Sequence, residues 1–235
     1  MRNYFTLGGV DSRLYGVYIS GQGVFDAPAR AIDFYEVPGR NGDLIGMESR
    51  LSNGTLTYPA FIHANFKDNL AAFRAVLLST HGYRRLIDSY NPGEYRMAVF
   101  AGPLNVTPTA ILRAGQFDLE FTVMPQRFLL SGETVQIFTA SGTIENPTLF
   151  PAKPLLRVYG NGTVGVGSTN ITIVNADVYT DIDCAMGYAY KGGSSKNLNV
   201  TLSSRDFPAL APGETGISLG TGITRVEVTP RWWTV

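Results

Sequence analysis

The sequence predicts a mainly β protein in two parts: an N-terminal one with a single helix and a C-terminal one built from strands alone. Three observations carry this. Short runs alternate apolar and polar residues from end to end. Helical periodicity occurs once, around residues 66–80. Charged residues are only 16% of the 235, against about 25% in a typical globular chain, and 26 glycines punctuate the strands.

Phe117-Asp118-Leu119-Glu120-Phe121-Thr122-Val123 alternates without an error, the pattern of a strand with one dry and one wet face. Ile32–Val37 carries Ile32 and Phe34 on one face and Tyr35 and Val37 on the other, so it is expected to be buried or paired against another subunit. Leu14–Ile19, Tyr95–Phe100, Leu155–Tyr159, Ile171–Val174, Val178–Ile182, Val200–Leu202 and Ile223–Val228 read as further strands. Phe66, Leu70, Phe73 and Leu77 recur at i, i+4, i+7 and i+11 and predict a helix lying across a sheet, with Asn65 or Asp68 as its cap and Gly82 as its stop. Tyr83–Phe100 predicts a β-hairpin that turns at Asn91-Pro92-Gly93. Thr139–Pro154, rich in Pro, reads as a connector. Beyond it, strands set between Asn161-Gly162, Gly192-Gly193 and Pro212-Gly213 turns predict an antiparallel sandwich.

The 19 positive and 19 negative charges cancel. Splitting the chain after Phe138 gives 12 of each sign before the cut and 7 of each after it, so neither part is a basic domain built to grip nucleic acid. Cys184 is the only cysteine, which excludes an internal disulfide and a thiolate metal cluster. Met1–Phe5 leads into Gly, Asp and Arg rather than an apolar run. No stretch approaches the ~18 apolar residues of a membrane-spanning helix. The chain is expected to be made and folded in a cytoplasm, and its five sequons, at Asn53, Asn105, Asn161, Asn170 and Asn199, are by-products of Thr- and Asn-rich strands.

Candidate chemistry is thin. Gly160-Asn161-Gly162-Thr163-Val164-Gly165 fits a dinucleotide-binding fingerprint, but β-branched residues and glycines follow where a helix N-terminus must hold the pyrophosphate, so Asn161-Gly162 is read as a hairpin turn. Asp181 and Asp183 face one side of a strand; an acid/base or cation-binding pair, joined by Asp177 or Asn175, competes with a solvated face, which is preferred. His63 and His81 flank the helix, the first expected in a core or interface and the second at the helix end; no nucleophile stands beside either in sequence. No catalytic, cofactor-binding or metal-binding residue is assigned. Arg outnumbers Lys 15 to 4, which suits interfaces because guanidinium keeps its charge and forks onto carboxylates. Tyr83, Arg84, Arg85 and Tyr95 in the hairpin, with Arg40, are the interface candidates: a subunit-binding arm competes evenly with an exposed hairpin whose stems pack on the helix, and changing Arg84 and Arg85 to Glu is expected to weaken assembly. Trp232 and Trp233 point to opposite faces of a strand, one toward its own domain and the other toward something else.

Val37-Pro38-Gly39-Arg40-Asn41-Gly42-Asp43-Leu44 resembles the V-P-G-R-x-G-x-L signature of the distal tail proteins, which form the baseplate hub of long-tailed, non-contractile phages, mostly of Gram-positive hosts. Further blocks match in order: the helix and His81–Asp88, Phe117–Leu129 with Met124-Pro125-Gln126-Arg127-Phe128-Leu129, Glu145-Asn146-Pro147-Thr148, Pro154–Gly162, Asp181–Cys184 and Asp206–Gly213. The resemblance implies a β-sandwich-like ring (belt) domain at 1–138, with the helix and hairpin, and a galectin-like antiparallel β-sandwich at 139–235 whose last strand can return to the first domain. It implies a homo-hexamer with a central channel for viral DNA in transit. It also implies docking to the tail tube protein on one face and to a tail-associated tip or fibre protein on the other, with receptor-binding proteins as further partners. It implies a virion tail tip location, with no enzyme activity, cofactor or membrane. Longer members carry inserted sugar-binding modules or an arm, for which 235 residues leave no room. The alternatives are a carbohydrate-binding module, with Tyr188 and Tyr190 as a platform, and a phage hydrolase using Asp181 or Asp183.

Overall fold

The computed structural model describes residues 2–21, 23, 25–46, 50–109 and 113–235. The chain is mainly β, with one α-helix, and forms two compact units: Met1–Arg127 with Val235, and Phe128–Thr234.

In the first unit seven strands follow the order Val10–Asp11, Phe5–Leu7, Arg84–Asp88, Glu94–Val99, Ala114–Leu129, Gly54–Ile62, Val17–Ile19, with Val106–Thr109 off this path against Ala114–Leu129. The Ile19 N–H donates to the Asn3 carbonyl at 3.0 Å, just ahead of Phe5–Leu7, so the sheet curls until its far strand meets the start of a near one. Strand alternation fills the inside of the curl. Gly54–Ile62 pairs antiparallel with Ala114–Leu129 from Gly54↔Val123 to Ile62↔Gly115, which puts Leu56, Tyr58 and Ile62 on the same face as Phe117, Leu119 and Phe121.

The helix, Phe66–Leu78, covers that face with Phe66, Leu70, Phe73 and Leu77, the four residues its period singles out. Phe73 packs edge-on against Phe5 at 6.3 Å, and Phe5 in turn meets Phe121 at 5.8 Å and Tyr58 at 6.2 Å. Gly115 makes room for the helix, since a methyl group there would run into the Phe66 ring. The helix start differs from expectation: Asn65 is left-handed (φ 44°) and its side chain caps nothing, while Asn69 Nδ2 donates back to the Ala64 carbonyl at 2.9 Å. Leu14 and Tyr15 lie in a 3-10 turn, Ser12–Tyr15, instead of a strand. The Asp11 carboxylate accepts from the Arg13 N–H, and Gly16 closes the turn in the left-handed region, so the strand starts only at Val17.

Arg84–Asp88 and Glu94–Val99 form the expected hairpin, with Leu86 opposite Arg96. Its turn is organised by Asp88, whose carboxylate accepts from the N–H groups of Tyr90 and Asn91 and from the buried Tyr58 hydroxyl, 2.5 Å away. Burial, then the charge and bond of Asp88, push the Tyr58 phenol well above its ordinary pKa.

The second unit is a sandwich. One sheet has the order Gln136–Phe138, Ile223–Thr229, Leu155–Gly160, Tyr179–Asp183, Tyr188–Lys191, Ser194–Ser195; the other has Gly142–Asn146, Gly213–Leu219, Gly162–Val166, Thr169–Ile173, Val200–Leu202. A single core joins them, with Leu156, Val158, Ile182, Val226 and Val228 from the first sheet and Ile144, Val164, Ile171, Ile173 and Ile217 from the second.

Three expectations fail here. Asn161-Gly162 is not a hairpin turn: the strands on either side of it belong to different sheets, so the chain crosses between layers. The crossing is tight. Gly160 (φ 103°) presses on the Gly222 carbonyl where a methyl group would clash, and the Asn161 side chain accepts from the Ala176 N–H at 2.7 Å. The supposed connector contains a full edge strand, Gly142–Asn146, paired from Gly142↔Ile217 to Asn146↔Gly213. Its Pro-rich remainder hangs on buried Asn146, whose Nδ2 donates to the carbonyls of Phe150 (2.9 Å) and Leu210 (3.0 Å) and whose Oδ1 accepts from the Thr148 N–H and hydroxyl. Trp232 and Trp233 both pack within this unit: Trp232 is in the core, and Trp233 stacks on Phe150 at 4.5 Å and donates to the Pro151 carbonyl.

Asn146→Asp replaces two donors with an acceptor facing two carbonyls. It is expected to cost at least about 2 kcal/mol, read as a lower urea midpoint at pH 7 with an unchanged slope.

Candidate interaction surfaces

The segment with apolar residues on both faces forms a ribbon of two short strands, Asp33–Tyr35 and Leu44–Gly46, separate from the large sheet. Phe34 stands opposite Ile45 on one face and Tyr35 opposite Leu44 on the other. The expectation that this segment is buried is not met within the chain: Phe34, Ile45 and Tyr35 are 63%, 61% and 57% exposed, and Leu44 and Val37 are exposed too. Alternation names the residues of a strand that need cover, but it does not say whether the same chain supplies it. The tip holds the Pro38-Gly39-Arg40-Asn41-Gly42 motif. Its turn is closed by the Arg40 N–H donating to the Val37 carbonyl, and Gly39 and Gly42 sit at φ 80° and 81°, where a side chain is strained. Arg40 is exposed at this tip.

The other four interface candidates lie together on the hairpin. Arg84 turns inward: Nη1 donates to the Val76 carbonyl at 2.9 Å and Nη2 to the Leu77 carbonyl at 2.6 Å, so a fixed cation meets the helix C-terminus. Burial lowers its pKa from the ordinary arginine value. Tyr83 is partly exposed, and its hydroxyl accepts from Asn53 Nδ2 at 2.6 Å. The Arg85 guanidinium lies 4.0 Å over the Tyr95 ring.

Asp181 and Asp183 are not on a solvated face; both are buried, each under a bidentate arginine. Arg157 donates to both oxygens of Asp181 (2.7 and 3.0 Å), and Arg231 to both oxygens of Asp183 (2.8 and 2.9 Å). Arg231 reaches its partner from a left-handed backbone (φ 61°). Burial pushes the Asp183 carboxyl up, but Arg231 and the N–H groups of Met186 and Ala185 outweigh it and hold the group below the ordinary carboxyl range. Arg157 also lies over the Tyr179 ring (4.4 Å) and Arg225 over the Tyr159 ring (3.9 Å). Tyr188 and Tyr190 stack on each other at 5.6 Å and are half-buried.

The remaining chemical candidates are spoken for. His63 is exposed and stacked on Tyr18 at 5.4 Å rather than in a core. His81 lies just past the helix end. Burial, then the Asp183 charge, push the buried Cys184 thiol up to about 12, so it stays protonated. Among the described residues no three His, Cys, Asp or Glu side chains converge to hold a metal ion, and no helix is long and apolar enough to cross a membrane.

Two outcomes follow. Arg84→Met is expected to lower stability by about 1–2 kcal/mol at neutral pH, seen in urea unfolding, because two helix carbonyls lose a charged donor. Asp183 has its folded pKa below its unfolded one, so its contribution is complete above about pH 5 and is lost as pH falls through the depressed value. The urea midpoint should therefore drop more steeply from pH 5 to pH 3 in the wild type than in Asp183→Asn, which starts lower at pH 7; parallel profiles would contradict this.

No protein-family model matches the sequence, and no curated protein sequence does. Among solved structures the chain aligns with the Dit (gp 19.1) protein of phage SPP1, described as a paradigm of the hub adsorption apparatus in phages infecting Gram-positive bacteria. The TM-score is 0.73 at 13% identity, covering 100% of both chains. Two structures of the phage P2 baseplate in its activated conformation, with Ca and with Sr, align at a TM-score of 0.49 and 11% identity. They cover 97% and 96% of this chain and 98% and 97% of theirs. From its first strand to its last, the chain has the fold of SPP1 Dit.

Proposed function

We propose that this chain is a structural virion protein, the distal tail hub of a siphophage, placed between the tail tube and the tail tip or baseplate. The observation that carries the reading is the end-to-end likeness to SPP1 Dit, a hub protein of an adsorption apparatus. The ordered sequence blocks, beginning with the motif at the ribbon tip, support it independently. In this reading the first unit closes a six-membered ring, the second unit is galectin-like, and the tail tube protein and a tip or fibre protein dock on opposite faces. The balance of 19 positive and 19 negative charges suits a channel that passes DNA without gripping phosphates. The role in this reading is structural and non-enzymatic. The protein would be made in the host cytoplasm and end in the tail tip.

Light scattering on a size-exclusion peak, followed by electron microscopy of the same fraction, tests this. Six copies of a 25.5 kDa chain give about 153 kDa and six-fold rings. A monomer that forms no ring, even when mixed with tail tubes, would contradict the hub reading. Arg40→Glu at the exposed tip is expected to weaken the ring without lowering the melting temperature.

A further inference from the structure

The first unit carries two unfilled apolar features. One is the ribbon: Phe34, Tyr35, Val37, Leu44 and Ile45 all stand in solvent. At ~150–250 Å² per whole aromatic side chain, they leave on the order of 500 Å² of apolar surface uncovered on about a dozen residues. A standard interface takes roughly 800 Å² from each partner, a little over half of it apolar, so the ribbon's two faces together match one partner's apolar share and the Phe34–Ile45 face supplies about half of it. A two-stranded ribbon is at best marginal in water by itself, and one that is apolar on both faces has more to gain from cover than most.

The other feature is a cavity of about 300 Å³ beside the helix end, lined by Arg74, Leu77, Leu78, Phe100, Pro103 and Leu104. That is about twice the ~150 Å³ apolar cavity that accepts a benzene ring. Leu78 at its rim is 60% exposed although it belongs to the one amphipathic helix. A projecting apolar pair and an apolar hole on the same unit, at different places, are the elements of a head-to-tail contact between copies, the kind that closes into rings when the rotation allows.

We infer that the Phe34–Ile45 face of the ribbon seats in the Leu78–Leu104 cavity of a neighbouring copy of this chain. The inference rests on the ring reading above and names the contact that builds the ring. The occupant is a second copy because the first unit itself offers both halves of the contact.

The test uses full-length chains and a flexible bis-maleimide. Buried Cys184 has its thiol pushed up to about 12, so it contributes no background. Ile45→Cys and Leu78→Cys chains, co-expressed, should cross-link to each other, whereas neither variant alone should cross-link to itself. Phe34→Glu, which lies outside the core, should raise the concentration needed for assembly at least tenfold at an unchanged melting temperature. Six-fold rings without the mixed cross-link would overturn this contact and leave the hub reading standing. The mixed cross-link in open, unringed polymers would keep the contact and remove the hub reading. Cross-linking of Ile45→Cys to itself would overturn the contact in favour of a ribbon-to-ribbon one. Neither oligomer nor cross-link at high protein concentration would overturn both.

Discussion

The packing of Phe5 against Phe73, Phe121 and Tyr58 is the constraint on which the first unit depends. A curled sheet has a concave side that one helix cannot fill with aliphatic residues alone, and these rings, from four separate elements, bridge the gap between strand and helix. The arrangement leaves little choice elsewhere. Gly115 has to be small because Phe66 lies over it. Tyr58 has to find a partner for its hydroxyl, and Asp88 supplies one while holding the hairpin turn. With the core closed by its own residues, the apolar side chains of the ribbon have no place inside.

The second unit solves a different problem with different chemistry. Its two sheets share an aliphatic core, and the polar work is done on one strand face, where Arg157 and Arg231 clamp Asp181 and Asp183. Buried carboxylates are costly unless every lone pair is met, and bidentate guanidinium meets two at once. Lysine in either place would leave one oxygen of each carboxylate without that second bond. Arg157 also lies over Tyr179, and Arg225, paired with Glu227, lies over Tyr159, so single arginines meet a carboxylate and a ring face together.

What was legible in the sequence was local periodicity. The apolar spacing from Phe66 to Leu77 placed the helix within two residues, and the alternation in Phe117–Val123 gave both the strand and its inner face. What was not legible depended on partners distant in sequence. Asn161-Gly162 has the residues of a hairpin turn, but whether two flanking strands pair with each other is decided by Ile223–Thr229 and Gly213–Leu219, which claim them for separate sheets. The alternation around Asp181 and Asp183 reads as a solvated face because their arginines lie far away in sequence, Arg231 being 48 residues from Asp183. Of the interface candidates, Arg40 stands at an exposed tip, while Arg84 serves the end of the helix, which stops at Leu78 with Ser79 as its cap, ahead of the expected Gly82. The cavity beside Leu78 left no sequence signal, since its lining comes from a helix end and an irregular loop.

The bond from Ile19 to Asn3 and the pairing of Phe5–Leu7 with Leu86–Asp88 have a consequence for how the chain leaves the ribosome. The first strand pairs with nearby Val10–Asp11 on one edge, but its other edge waits for a partner some eighty residues downstream, which at roughly 5–20 residues per second is a delay of about 4–16 seconds. Throughout that interval Phe5 and Leu7 are apolar residues on an unpaired edge, and loop closure over such a span is entropically slow. The nascent first unit is therefore most open to aggregation or chaperone capture before Asp88 emerges. The Phe128–Thr234 sandwich, by contrast, is drawn from one contiguous stretch and follows a neighbour whose strands are already in the open.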